Sequence, residues 1–168
     1  EDSVARVNRY IEIGKASGRL LAIQPVPAEL EGKGNFVPAT AFINCPADGQ
    51  LCQEEIFGPV VAVLKVKDLE EALAVADNTL YALTGGLYSR SPENIARVRR
   101  EFRVGNLYIN RKITGAIVDR QPFGGARMSG IGSKAGGPDY LQQFLVPRTI
   151  TESVLRRGFA PTEEAGGV

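Results

Sequence analysis

The middle of the chain alternates between two kinds of residue pattern, and this alternation constrains the fold more than any other feature. Val60 to Val66 is a β-branched run of strand length. Asp68 and Glu71 follow at capping-box spacing, with Asp in place of Ser or Thr, and Leu69, Leu73 and Ala76 then share one helical face. Gly85 to Ser89 reads as a second strand. Ser91-Pro92 is a cap and first-turn proline opening a helix through Phe102, and Val104 to Asn110 is a further strand. Strand and helix in this order predict βαβ units and an α/β fold with a mostly parallel sheet.

The flanks are simpler. Ser3 can cap a first helix whose Val4, Val7 and Ile11 recur on one face and which Gly14 or Gly18 can end. Leu20 to Ile23 and Phe36 to Ile43 look like strands joined through the Gly-rich EGKGN at 31–35. Because the chain opens on Glu1 and directly in a helix, it is expected to be an excised or processed piece. From Arg111 to Gly137 the pattern breaks into a long Gly-rich connection, a kind of loop that is usually functional or disordered. A short helix near Asp139 to Phe144 and an alternating strand at 148–154 follow. The expected division is one continuous unit at 1–147, an edge strand at 148–157 and a loose tail at 158–168.

Composition removes several classes of function. The chain has no histidine, so it cannot hold a Ser-His-Asp triad, a Cys-His pair or a His-containing metal site, and no metal is expected. Twenty basic residues against nineteen acidic leave +1, too little for a field that gathers nucleic acid. Arg97, Arg99, Arg100 and Arg103 crowd one helix end, where a solvated face complementing the helix dipole is the simpler reading than a phosphate site. The longest aliphatic run, Val60 to Leu64, is far too short to cross a bilayer. Only two cysteines, Cys45 and Cys52, argue for a reducing compartment, not a disulfide scaffold.

Two segments contain residues suited to chemistry. The glycines at 124–137 miss the dinucleotide fingerprint by one residue, because Gly130, Gly132 and Gly136 are spaced wrongly and no clear strand precedes them. They leave either a backbone able to approach a ligand closely or a crowded packing turn. Glu54 and Glu55 precede an apolar strand. They read equally as a solvated strand edge or as a carboxylate able to accept both hydroxyls of a ribose, with Phe57 as a flat apolar face and Gly58-Pro59 as the turn presenting them.

EEIFGPV at 54–60 resembles the signature of the NAD(P)-dependent aldehyde dehydrogenase family. NRKITGAIVDRQPFGGARMSG at 110–130 and GGPDYLQQF at 136–144 are similar to the substrate-anchoring segment of those members that oxidise L-glutamate γ-semialdehyde in proline breakdown. The resemblance covers 1–154 and implies an aldehyde-dehydrogenase-like catalytic-domain portion ending in a C-terminal oligomerisation strand. It implies that Glu55 holds the nicotinamide ribose of NAD and that Phe57 packs near the nicotinamide. NADP stays open, because the residues that meet the adenosine ribose are not in the chain. Gly115 and Ala116 would offer backbone N–H groups to the substrate's α-carboxylate, and Phe123 would border its methylenes.

The nucleophilic cysteine and general-base glutamate of the family lie upstream of EEIFGPV, so the resemblance places no catalytic residue in this chain. GQLC at 49–52 imitates the nucleophile's motif but stands directly against EEIFGPV, and Cys52, like Cys45, is expected to be structural. The chain alone is expected to be inactive and to act with the upstream part of the same enzyme, in a homo-oligomer joined through 148–154. A cytoplasmic location is expected, or the mitochondrial matrix in a eukaryote. Another semialdehyde dehydrogenase and a catalytically silent assembly module are the alternatives.

Overall fold

The computed structural model describes residues 2–153. Helix α1 (Asp2–Ser17) buries Val7, Tyr10, Ile11 and Gly14, an i, i+3, i+4, i+7 stripe. Ser3 lies inside this helix and does not cap it, and Gly14 does not end it. Gly14 is instead the contact point with the next layer, since a Cβ there would stand 2.5 Å from Cε2 of the fully buried Phe42. The helix stops at Ser17, and Gly18 N–H donates back to Gly14 O at 2.9 Å.

Strand β1 (Arg19–Gln24) pairs antiparallel with β2 (Ala39–Ile43), which pairs in parallel with β3 (Val60–Val63). A short helix α2 (Gln50–Gln53) lies in the β2 to β3 connection. One face of this sheet takes α1, and Val7, Tyr10, Ile11, Phe42, Cys45 and Leu51 form the principal core. Phe36 to Pro38, expected in a strand, lie outside β2, consistent with the missing N–H of Pro38.

Helix α3 (Leu69–Asp77) is capped as expected: Asp68 accepts from Glu71 N–H at 2.9 Å and Glu71 accepts from Lys67 N–H at 2.8 Å. Strands β4 (Tyr81–Ala82) and β5 (Thr84–Leu87) follow, then α4 (Pro92–Glu101) with Ser91 as cap, and β6 (Asn106–Ile109), which lies parallel to β5. Strand β7 (Ala126–Arg127) returns antiparallel to β4.

The expectation of a mostly parallel sheet is therefore corrected. The described strands form three small sheets with two parallel pairings, β2/β3 and β5/β6, and two antiparallel ones, β1/β2 and β4/β7. Parallel pairing needs a crossover between strands, and α4 supplies it for β5 and β6. The segment between β1 and β2 holds only a 3₁₀ turn (Ala28–Leu30), so the chain doubles back. The expected strand at 148–154 is not formed over 148–153, which runs exposed outside the described sheets. Residues 154–157 of that strand and the tail at 158–168 lie outside the described residues.

Three of the four arginines around the end of α4 meet carboxylates. Arg97 binds Glu70 and Glu101, the latter at 2.7 Å, Arg100 binds Glu101 at 2.7 Å, and Arg103 binds Asp77 at 2.8 Å. Asp77 also receives Arg127 Nη2 at 2.6 Å, while Arg127 Nη1 donates to Asp77 O and Thr79 O. This clamp joins the end of α3 to β7. Burial alone would raise the Asp77 pKa, but the hydrogen bonds from Arg103 and Arg127 outweigh it and hold the carboxyl below its ordinary range. A folded pKa below the unfolded one stabilises above the unfolded value and is lost as pH falls through the folded one. Asp77→Asn should cost about 2 kcal/mol at neutral pH. Its deficit in thermal midpoint should shrink as pH falls below about 4, and a deficit constant with pH would contradict the clamp. No described helix is long and apolar enough to cross a membrane.

Candidate functional site

The residues singled out from the sequence fall into two groups. At the entry to β3, the paired glutamates have different environments. Glu54 is engaged within the chain: Tyr10 Oη donates to its Oε2, and Gln50 Nε2 donates to the same oxygen at 2.9 Å. These two hydrogen bonds, Tyr10's the larger, hold the Glu54 carboxyl below its ordinary range, and the same contact pushes the Tyr10 phenol up. Glu55 is exposed and makes no hydrogen bond or ion pair within the described residues. Both its oxygens are thus available to a diol.

Phe57 is 77% exposed and sits at φ 52, in the left-handed region that a bulky residue rarely adopts. The turn holding it there is fixed on both sides: Arg6 Nε donates to Ile56 O at 3.2 Å, and Thr40 N–H donates to Pro59 O at 2.8 Å. A strained backbone presenting an aromatic ring to solvent is an arrangement found at ligand sites. Glu55, as an exposed acceptor, and Phe57, as an exposed flat ring, fit the ribose hydroxyls and planar ring of a nicotinamide nucleotide in chemistry and exposure.

The second group meets in a cleft of about 480 Å³ lined by Leu83, Thr84, Ile113, Gly115, Ala116 and Phe123. All three residues expected to touch substrate are therefore brought together. Gly115 has φ +83 and open space where a Cβ would be, so the turn is shaped by the backbone and not by packing. Phe123 is held by two backbone bonds, its N–H to Ala135 O at 2.9 Å and the Ala135 N–H to its O at 3.1 Å. Next to it, Gly124 O accepts from Asn106 Nδ2 at 2.9 Å and Lys134 Nζ at 2.7 Å. The glycine run at 124–137 thus acts as a packing turn that locks this loop to β6. Glu55 and Phe57 do not line the cleft.

Sequence reasoning passed over Arg111 and Gln121. Arg111 lies over the Tyr108 ring at 5.3 Å and reaches Gln121, which in turn reaches Gly115. A polar glutamine set in the run IVDRQPF was the available signal.

The cysteines are placed as inert thiols. Cys45 is buried and Cys52 half-buried against the α1 core. Burial pushes both thiols up, and for Cys52 the neighbouring Cys45 adds to it, so neither tends toward the reactive thiolate. Among the described residues no group of three His, Cys, Asp or Glu is placed to hold a metal.

Residues 1–150 match the model of the aldehyde dehydrogenase family, and the chain belongs to that family. Within it, the chain is 49% identical over 153 residues to 1-pyrroline-5-carboxylate dehydrogenase of Bacillus subtilis, a match covering 91% of this chain and 29% of that protein. Among solved structures, proline utilization A from Bdellovibrio bacteriovorus superposes with a TM-score of 0.88 at 55% identity, over 97% of this chain and 17% of that one. A Thermus 1-pyrroline-5-carboxylate dehydrogenase with bound NAD superposes at 0.80 and 50% identity, over 86% of this chain and 27% of that one. The chain spans less than a third of the length of the curated relatives it matches.

Proposed function

We propose that this chain is the carboxyl-terminal part of an NAD-dependent dehydrogenase that oxidises L-glutamate γ-semialdehyde, the open form of 1-pyrroline-5-carboxylate, to L-glutamate. The observation that carries the reading is the meeting of Gly115, Ala116 and Phe123 in one cleft. The left-handed Gly115 turn presents backbone amides suited to an anion. Phe123 covers the methylenes and leaves the aldehyde end free to reach a nucleophile on the upstream part of the same enzyme, where the general-base glutamate also lies.

Glu55 would take the hydroxyls of the nicotinamide ribose, and Phe57 would flank the ring. When bound, NAD supplies the hydride acceptor; the chain's own contribution is orientation. Glu54, already occupied by Tyr10 and Gln50, would stiffen the segment that carries Glu55. Cys52 takes no part in bond-making.

The reading extends to assembly. Val146 is 92% and Ile150 73% exposed along the extended end of the described chain, a surface suited to burial against a second copy. The working location is the cytoplasm, or the mitochondrial matrix in a eukaryote.

The test is steady-state formation of NADH by the full-length polypeptide carrying this sequence, with L-glutamate γ-semialdehyde and succinate semialdehyde compared. A clear preference for the former in kcat/KM, retained in Cys52→Ser, supports the proposal. Equal rates on both, or loss of activity in Cys52→Ser, would overturn the substrate or the Cys52 assignment respectively.

A further inference from the structure

Gln121 is the half-buried polar group of the anchoring loop that no role so far accounts for. Its amide orientation is set by its partners. Oε1 accepts from Arg111 Nη1 at 2.6 Å, and Nε2 donates to Gly115 O at 3.1 Å. Arg111 is itself steadied over the ring of Tyr108, a buried residue of β6. The Gln121 backbone is tied down as well, its N–H donating to Ile117 O at 2.7 Å. A continuous chain of contacts therefore runs from the core strand β6, through a guanidinium and an amide, to the carbonyl of Gly115.

That carbonyl belongs to the same peptide unit as the Ala116 N–H. No described peptide bond is cis, and in a trans peptide the C=O and N–H point in opposite directions. Holding the Gly115 carbonyl toward Gln121 fixes the Ala116 N–H on the opposite side. Arginine can only donate and a backbone carbonyl can only accept, so the link between them must accept on one side and donate on the other. An ionised carboxylate cannot fill this place, while an amide can.

We propose, on the reading that Gly115 and Ala116 anchor a carboxylate, that Gln121 held by Arg111 is a positioning residue that aims the Ala116 N–H at the α-carboxylate of an amino-acid semialdehyde. It sets the affinity for that end of the substrate and leaves the rate of the chemical step alone.

The test uses the full-length enzyme with two substrates, L-glutamate γ-semialdehyde and propanal, which lacks the carboxylate. Gln121→Met keeps the length and neutrality of the side chain and removes both hydrogen bonds. It should raise KM for the semialdehyde about tenfold with kcat within about twofold, and leave kcat/KM for propanal unchanged. Arg111→Met still covers Tyr108 but frees Gln121, and should give the same pattern more weakly. It decides the matter if Gln121→Met does not fold. Equal losses on both substrates would show a merely structural role and overturn the proposal, as would an unchanged KM for the semialdehyde in both variants. A wild-type enzyme that does not prefer the semialdehyde over propanal would instead remove the carboxylate anchor itself, and the proposal with it.

Discussion

Gly105→Ala should lower stability by about 3 kcal/mol or prevent folding outright. Gly105 precedes β6, and a Cβ on it would stand 2.7 Å from Gly125 Cα and 2.9 Å from Gly125 C, with Gly124 O closer still. All three atoms are backbone, so no side-chain rotation relieves the clash. The chain can yield only by moving the 124–125 segment, and that breaks the bonds from Asn106 Nδ2 and Lys134 Nζ to Gly124 O. Phe123 moves with it. A variant that folds should therefore show both a lowered thermal midpoint and a raised KM. Gly32→Ala is the control: its φ is +70 but nothing lies within 4 Å of the added carbon. It should cost only about 1 kcal/mol. An unchanged midpoint in Gly105→Ala would show that the loop is not locked to β6.

Gly115→Val should have the largest kinetic effect, raising KM for L-glutamate γ-semialdehyde about a hundredfold in the full-length enzyme. The space around Gly115 is open, so the added Cβ meets no neighbour. Its cost comes from the backbone: at φ +83 a β-branched side chain is strongly disfavoured, and the turn should relax toward negative φ. The peptide unit between Gly115 and Ala116 then rotates, its carbonyl leaves Gln121, and the Ala116 N–H turns with it. Because the strain is local and the loop exposed, the thermal midpoint should fall by only a few degrees. A KM unchanged by this substitution would show that the turn does not bind the carboxylate.

The two predictions differ in how far the sequence alone pointed to them. ITGAIVDRQPFGG marked Gly115, Ala116 and Phe123 as a group, and the structure brings them into one cleft. The sequence could not show how the group is held. Gly105 lies nineteen positions before Gly124, and their contact depends on how β6 and the loop pack. The role of Gln121 likewise depends on which carbonyl its amide meets. Helices α3 and α4 were readable because their caps are local: Asp68 with Glu71, and Ser91 with Pro92. The Gly-rich turn at 31–35 marked β1 and β2 as strands joined by a turn, but the antiparallel return of β7 to β4 is a non-local pairing and was not visible in a pattern of alternating strands and helices. The resemblance singled out Glu55, but the residues alone could not show that Glu54 is engaged within the chain, since its partner Tyr10 lies forty-four residues away.

A crystal structure of the full-length polypeptide with L-glutamate bound would test the substrate assignment most directly. The α-carboxylate should accept from the Ala116 N–H at about 2.9 Å, with the methylenes against Phe123 and the γ-carboxyl directed away toward the upstream part of the enzyme. Glutamate bound in the same cleft with its α-carboxylate turned away from Gly115 and Ala116, or bound elsewhere, would contradict the assignment.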